Sequence, residues 1–512
     1  MGELLGTASP AEAGEAVREL MASAESGGGD AALALAARYS AISDCSTEEL
    51  LRLWAIADGD PFGFCEDLDA PAYRARKAVR RLVALSEPGD GGAALKLAAR
   101  LAAADPYASK FLMRLWRTDR DPDGFAEHLL APAFRQEGRT ELRLPYASSL
   151  RGLRHLTMLE KLVLHQCDGL TDLTEAGELT SLTELDLGGC GVADLTPLSR
   201  LSRLARLDLS RCGAVEDFGP LLNLTNLRHL DLSYTRVRSL RPFAALAALE
   251  SLRLVRCAAP TDLDALAELP HLAHLRLTGD HLGDLAPFAA LPRLRSLELD
   301  SCDGLATLDG LAGHPRLTKL GIHGSAVLRT TEGLGAVPNL RELTLTGCPA
   351  LADLTDLGRL PALRTLMING SPVRDLDDLA GSPLTKLTLL YMEDLESLSA
   401  LRACPGLSEL TVRCSQGRVP AEDIPLQQLS SLAVAGPQWY ALRDITPFTT
   451  SPRLAELDLR HCRSLTDLRP LLDMPALVHV RLPERIAAPA PGTLDPVVTG
   501  LRARGVTVTL HH

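Results

Sequence analysis

From Leu142 onward the chain carries a short strand core of the form Leu-x-Leu, and this core returns at a nearly fixed interval. Its first leucine stands at Leu162, Leu185, Leu207, Leu230, Leu252, Leu275, Leu297, Leu320, Leu343 and Leu366. It continues at Leu387, Leu410, Leu432 and Leu457, with Val480 as a late variant, and the spacing is mostly 22 or 23 residues. Side chains two apart share one face of a strand, so each core predicts a short strand with both leucines inward. In "LTELDLGGCGVADLTPLSRL" (Leu182–Leu201), Leu185 and Leu187 make the strand. Asp194 and Thr196 can cap the next segment, Pro197 suits a first helical position, and Leu198 and Leu201 bury the short helical or 3₁₀ return. One such turn cannot bury its own apolar edge, whereas stacked turns can, at about 4.8 Å per strand. Roughly sixteen strands then give an arc on the order of 75 Å long.

The run Leu182-x-x-Leu185-x-Leu187-x-x-Cys190 fits the frame L-x-x-L-x-L-x-x-N/C. The words "LTSLTELDLGGCGVADLTPLSRL" and "LTNLRHLDLSYTRVRSLRPF" resemble the 22-residue leucine-rich-repeat class of bacterial internalins and a phosphatase regulatory subunit. The resemblance covers roughly 345 residues and departs from the usual pattern in using Cys, Ser, Thr or Asp where many members have Asn. It implies an α/β solenoid, a leucine-rich-repeat horseshoe with a parallel concave sheet.

The segment 1–136 reads differently. "AVRELMASAESGGGDAALALAARYSAISDCSTEELLRLWAIADGDPFGFCEDLDAPAYR" from Ala16 is repeated as "AVRRLVALSEPGDGGAALKLAARLAAADPYASKFLMRLWRTDRDPDGFAEHLLAPAFR" from Ala78. Trp54 and Trp116 correspond and read as core anchors. Ser46 with Glu49 makes a capping box, and Gly27 to Gly29 marks a break. This predicts an all-α tandem helical-repeat domain ahead of the repeats at 137–486, covering their open edge or docking separately. At 487–512, "LDPVVTGLRARGVTVTL" predicts a helix and a final strand at Val506–Leu510 that cap the other end.

Cys167, Cys190, Cys212, Cys257, Cys302, Cys348 and Cys462 all stand five residues after the first strand leucine. Seven occurrences of one slot point to thiols lining the inside wall, where a weak S–H donor meets backbone freed by the bend. No Cys-x-x-Cys is present, and a nucleophile would need a partly exposed thiolate beside a base. Cys45, Cys65, Cys404 and Cys414 lie outside this ladder. Reduced thiols and an N-terminus without a basic, apolar leader fit a cytoplasmic location.

Chemistry is hard to find elsewhere. No lysine precedes Ser or Thr, so a Walker-type loop is absent, and neither H-E-x-x-H nor G-x-S-x-G occurs. "GDGGAA" (Gly89–Ala94) follows a predicted helix rather than a strand, and "RARKAVRR" (Arg74–Arg81) reads as a solvated face. The chain is 46% hydrophobic but 4% aromatic, so aliphatic side chains make its core. A net charge of -12 argues against phosphate-backbone binding as the main activity.

The concave face carries the best candidates. Asp186, Asp208, His229 and Asp231 are followed by Arg253, His274, Arg276, Glu298 and Asp300. An acidic column thus meets the pair Arg253 and Arg276, either as lateral salt bridges or as a stripe that anchors a partner carboxylate. Trp439 and Tyr440 sit where the interval lengthens to 25 residues, from Leu432 to Leu457. They plug that turn or protrude as a hot spot. Together these features predict a non-enzymatic, protein-binding scaffold with no cofactor, no metal, no nucleic-acid partner and no membrane partner. The alternatives are a sensor component or split fragment of a bacterial NTPase-type immune receptor, and the substrate-recognition part of an effector enzyme.

Overall fold

The computed structural model describes residues 108–116, 121–257, 262–413, 423–435, 442–488 and 494–511, with isolated helical positions at Val79, Val83, Leu95, Ala98, Ala99 and Ala102. Apart from those positions, the first copy of the helical repeat with Trp54, the second copy before residue 108, the segments Arg74–Arg81 and Gly89–Ala94, Cys45, Cys65, Cys414, and Trp439 with Tyr440 lie outside the described residues, whereas the end of the second copy, with Trp116, lies within them. The chain forms two compact units. One is Met1–Leu207 with Asp217–Leu224, and the other is Asp208–Glu216 with Thr225–His512.

In the first unit α1 (Ala108–Trp116) leads into a helical run made of α2 (Pro122–Phe125), a π-turn at Ala126–Leu130 and α3 (Ala131–Gln136). Asp121 caps the run by accepting a hydrogen bond from the Gly124 amide, and Pro122 takes the first helical position. Phe125, Leu129, Leu130 and Phe134 are buried, as is Trp116, whose indole N–H donates to the Pro122 carbonyl at 2.9 Å. The run packs against the first repeat turn at Gly152. A Cβ there would stand 2.3 Å from the Pro122 carbonyl oxygen, so only glycine permits the approach. Arg154 and His155 from the same turn reach Asp123 at 2.7 and 3.1 Å.

Strands β1 (Glu141–Arg143), β2 (Lys161–Val163) and β3 (Glu184–Asp186) come next, parallel and in step, with Leu142 opposite Leu162 and Leu162 opposite Leu185. The expected return after β3 is a 3₁₀ helix over Thr196–Arg200 with Pro197 in its first turn. Asp194 accepts from the Thr196 amide at 2.8 Å, and Leu198 and Leu201 are fully buried. β4 (Arg206–Asp208) runs to the division between the units.

The second unit continues the pattern through β5 (His229–Asp231), β6 (Ser251–Leu254), β7 (His274–Thr278), β8 (Ser296–Asp300), β9 (Lys319–His323), β10 (Glu342–Thr346) and β11 (Thr365–Asn369). β12 (Lys386–Leu390), β13 (Glu409–Arg413), β14 (Ser431–Ala435), β15 (Glu456–Asp458), β16 (His479–Pro483) and β17 (Thr507–His511) complete it. Each strand pairs in parallel with the next, without stagger. Leu230 therefore faces Leu252, Leu275 faces Leu297, and the row ends at Val480 opposite Val508. Parallel strands in register, most of them returned by a 3₁₀ turn, make a leucine-rich-repeat solenoid fold. Before β17, α5 (Pro496–Ala503) is capped by Asp495 and buries Val498 and Leu501, while the short α4 (Glu484–Ala487) comes directly after β16.

The cysteine slot is an interior wall. Cys190 Sγ donates to the Leu164 carbonyl of the preceding turn at 2.9 Å, Cys167 to Leu144 at 3.2 Å and Cys257 to Leu232 at 3.1 Å. Thr235 and Ser325 take the slot in other turns and donate to Leu232 and Leu305. Asp280, in the same slot, is exposed instead. Cys404, outside the slot, is buried in the return and donates to the Leu379 carbonyl at 3.1 Å. Among the described residues no helix is long and apolar enough to cross a membrane.

Candidate functional site

Register decides which side chains meet on the open face of the second unit's sheet. The pairing of β5 to β9 sets Asp231, Arg253, Arg276, Glu298 and Gly321 in one row across five strands. Two residues further along each strand, Thr278, Asp300 and His323 form a second row. Inward leucines between them fix every Cα, so the charged heads stand on a rigid support.

The ion pairs cross between the rows. Arg276 binds Asp300 through both ends of its fork, Nε to Oδ2 at 2.7 Å and Nη2 to Oδ1 at 2.9 Å. Glu298 accepts from Lys319 Nζ at 2.8 Å and lies 3.0 Å from His323 Nε2. Its carboxylate rests over Gly321, where an added Cβ would fall 2.0 Å from Oε2. The absence of a side chain at Gly321 is what makes that seat. Burial pushes the Glu298 carboxyl up, but the hydrogen bonds and charges of His323 and Lys319 outweigh it and hold it down to about 2. The hydrogen bond to Asp300 raises the Arg276 guanidinium further. Burial, and then the nearby Arg295 charge, lower His274, which favours a neutral imidazole.

Arg253 differs from its neighbours. Its side chain is 56% exposed, and its nearest carboxylate, Asp231 Oδ2, lies 3.7 Å from Nη1. Arg276, by contrast, is engaged at both ends of its fork by Asp300, which is the lateral salt bridge that the sequence offered beside the reading of Arg253 and Arg276 as anchors. The acidic column also has a backbone role. Asp186, Asp208 and Asp231 each accept from the amide two residues on, at Gly188, Ser210 and Ser233, at 2.8 to 2.9 Å. These side chains fold the strand ends as Asx-turns. Asp186 belongs to the first unit and Asp208 and Asp231 to the second. His229 is half-buried at the start of β5.

Beyond β9 the central row becomes neutral, with Thr344, Met367, Thr388, Thr411 and Ala433. Charge returns at Asp458, which Arg460 holds at 2.6 Å and Arg481 approaches at 3.6 Å. The thiols sit behind this face, and burial pushes Cys302 and Cys462 up to about 12. A thiol held protonated in this way is a poor nucleophile. Among the described residues no group of three or more His, Cys, Asp or Glu is placed to hold a metal ion.

No protein-family model matches the chain, and no curated protein does. Among solved structures it resembles internalins and other leucine-rich-repeat proteins. An internalin from Listeria monocytogenes is 20% identical over 79% of this chain and 96% of its own, with a TM-score of 0.42. The functional domain of InlJ from the same species, described as including a cysteine ladder, is 17% identical over 54% of this chain and 73% of its own, with a TM-score of 0.35. The Drosophila Toll–Spatzle complex contains a chain 16% identical over 65% of this one and 48% of its own, with a TM-score of 0.46.

Proposed function

We propose that this chain is a non-enzymatic scaffold that captures a protein partner on the open face of β5 to β9. The carrying observation is the fixed row itself. Asp231, Arg253, Arg276 and Glu298 stand in register on a rigid sheet, with Asp300 in the row beside them, and most are held in place by one another or by Lys319 and His323. Side chains already ordered lose little entropy on binding, and their mixed signs select for a complementary surface. Arg253 is the anchor, because it is the arginine of the row with donors to offer. Arg276 and Glu298 act as its supports, and His229 and His274 border the row at the strand starts. The buried thiols suit a reducing compartment, so a cytoplasmic partner fits best.

The test begins with affinity capture from the source cell on the immobilised chain, and continues with the purified partner. Arg253→Glu should weaken binding at least about tenfold, and Arg253→Glu with Arg276→Glu should abolish it, with the partner's complex intact in the wild type. Unchanged affinity in Arg253→Glu would remove this row from consideration.

A further inference from the structure

A second feature repeats with the strands, at their exit edge rather than on the open face. Four residues after the first strand leucine, the backbone of most turns enters the left-handed region. In the second unit φ is +80° at Gly324, +64° at Gly347 and +68° at Gly370, where glycine adopts it freely. Three consecutive turns instead place large side chains there. Arg211 has φ +64°, Tyr234 +61° and Arg256 +52°. An L residue in this conformation costs stability that glycine would not.

What those turns hold in return is a stack. The Arg211 guanidinium carbon lies 5.0 Å from the centre of the Tyr234 ring, and that of Arg256 lies 6.0 Å from it. All three residues are exposed. Their backbones are fixed, since the amides of Arg211, Tyr234 and Arg256 donate to the Ser233 carbonyl, the Val255 carbonyl and Thr278 Oγ1 at 2.7 to 2.8 Å. Neither guanidinium has an ion-pair partner among the described residues, although the chain as a whole carries a net charge of -12. Carboxylates are plentiful, yet this edge presents two forks without one. Stacking on the ring leaves the in-plane N–H groups of each fork free to meet a carboxylate.

We propose that Arg211, Tyr234 and Arg256 form a binding site for an acidic, extended peptide segment of a protein partner. The two arginines lie two turns apart, about 10 Å at strand spacing, which matches carboxylates three residues apart on one face of an extended polyproline-II chain, about 9 Å per turn. The site is separate from the row on the open face and stands whether or not that row captures anything.

Fluorescence anisotropy on the full chain tests it, with a labelled peptide that repeats Glu-Gly-Gly as the probe. The wild type should bind this peptide at low salt and lose affinity as salt rises. Arg211→Gly with Arg256→Gly should weaken binding at least about tenfold. Glycine is native to this slot in sister turns, so the variant should keep its melting temperature. The proposal is overturned if the double variant binds within about twofold of the wild type, or if binding ignores salt. It is also overturned if a Lys-Gly-Gly peptide or an oligothymidylate binds as tightly. No cellular partner enters this measurement, so its outcome is independent of the capture experiment.

Discussion

Replacing Glu298 by Gln keeps the shape of the side chain over Gly321 and removes its charge. The carboxyl sits at about 2 against an ordinary 4.5. At about 1.4 kcal/mol per pH unit, that difference bounds the native-state stabilisation of the anion at about 3 kcal/mol. The Lys319 side chain is 43% exposed, so solvent screens part of it and about 1–3 kcal/mol is the expected loss. The sign fixes the pH window. A carboxyl depressed in the folded state contributes stability above its unfolded value, and this is lost as pH falls from about 4.5 toward 2. Urea denaturation of wild type and Glu298→Gln should therefore show a constant gap from about pH 7 to 5 that narrows by about pH 3. The other carboxylates titrate in both proteins and cancel in the difference. A gap that stays constant down to about pH 3, or no gap at neutral pH, would refute the claim that Lys319 and His323 hold this anion.

Two more outcomes are expected of the interior. Alkylation of the native protein, read by peptide mass spectrometry, should leave Cys190, Cys212, Cys302, Cys348, Cys404 and Cys462 unmodified until denaturant is added, with the half-exposed Cys257 reacting first among the slot thiols. Rapid native labelling at Cys302 or Cys462, whose burial raises them to about 12, would show the wall to be open. His314 is buried, its Nε2 lies 2.9 Å from the Leu291 carbonyl and its Nδ1 has no partner. The N–H must then be on Nε2, and a second proton would enter a site without an acceptor. Burial accordingly lowers its pKa, so its contribution to stability is present above about 6.5 and lost as pH falls below it. His314→Met should flatten the stability-versus-pH slope between about pH 6.5 and 5, and an unchanged slope would place the responsible group elsewhere.

How much of this was legible in the sequence depends on whether a feature is periodic. The leucine pairs fix strand positions to the residue, because a one-residue slip would turn every leucine outward. The cysteine slot was legible for the same reason, and the thiols do point to the preceding turn's carbonyls. Lateral pairings on the open face were not. Arg276 could have met Asp231, two strands away in its own row, but it bonds Asp300 on the next strand and the next row. Side-chain reach settles that choice, and it has no period.

The left-handed edge lies between these cases. Its position is as regular as the cysteines', one residue ahead of them, but its chemistry is not, since Tyr, Gln, Gly, Arg and Ser all occupy it. A slot that demands positive φ should drift toward glycine when nothing else acts on it. The turns with Gly324, Gly347 and Gly370 obey that rule, and those with Arg211, Tyr234 and Arg256 do not. Because the latter three are consecutive, their side chains meet, and the departure from glycine coincides with the one exposed arginine–tyrosine–arginine stack among the described residues. Tyr146, Gln166, Ser301 and Tyr391 bear the same conformational cost, so cost alone marks no site; only at Arg211, Tyr234 and Arg256 does it coincide with stacked, exposed guanidinium groups, and that coincidence gives the edge a binding chemistry of its own beside the open face.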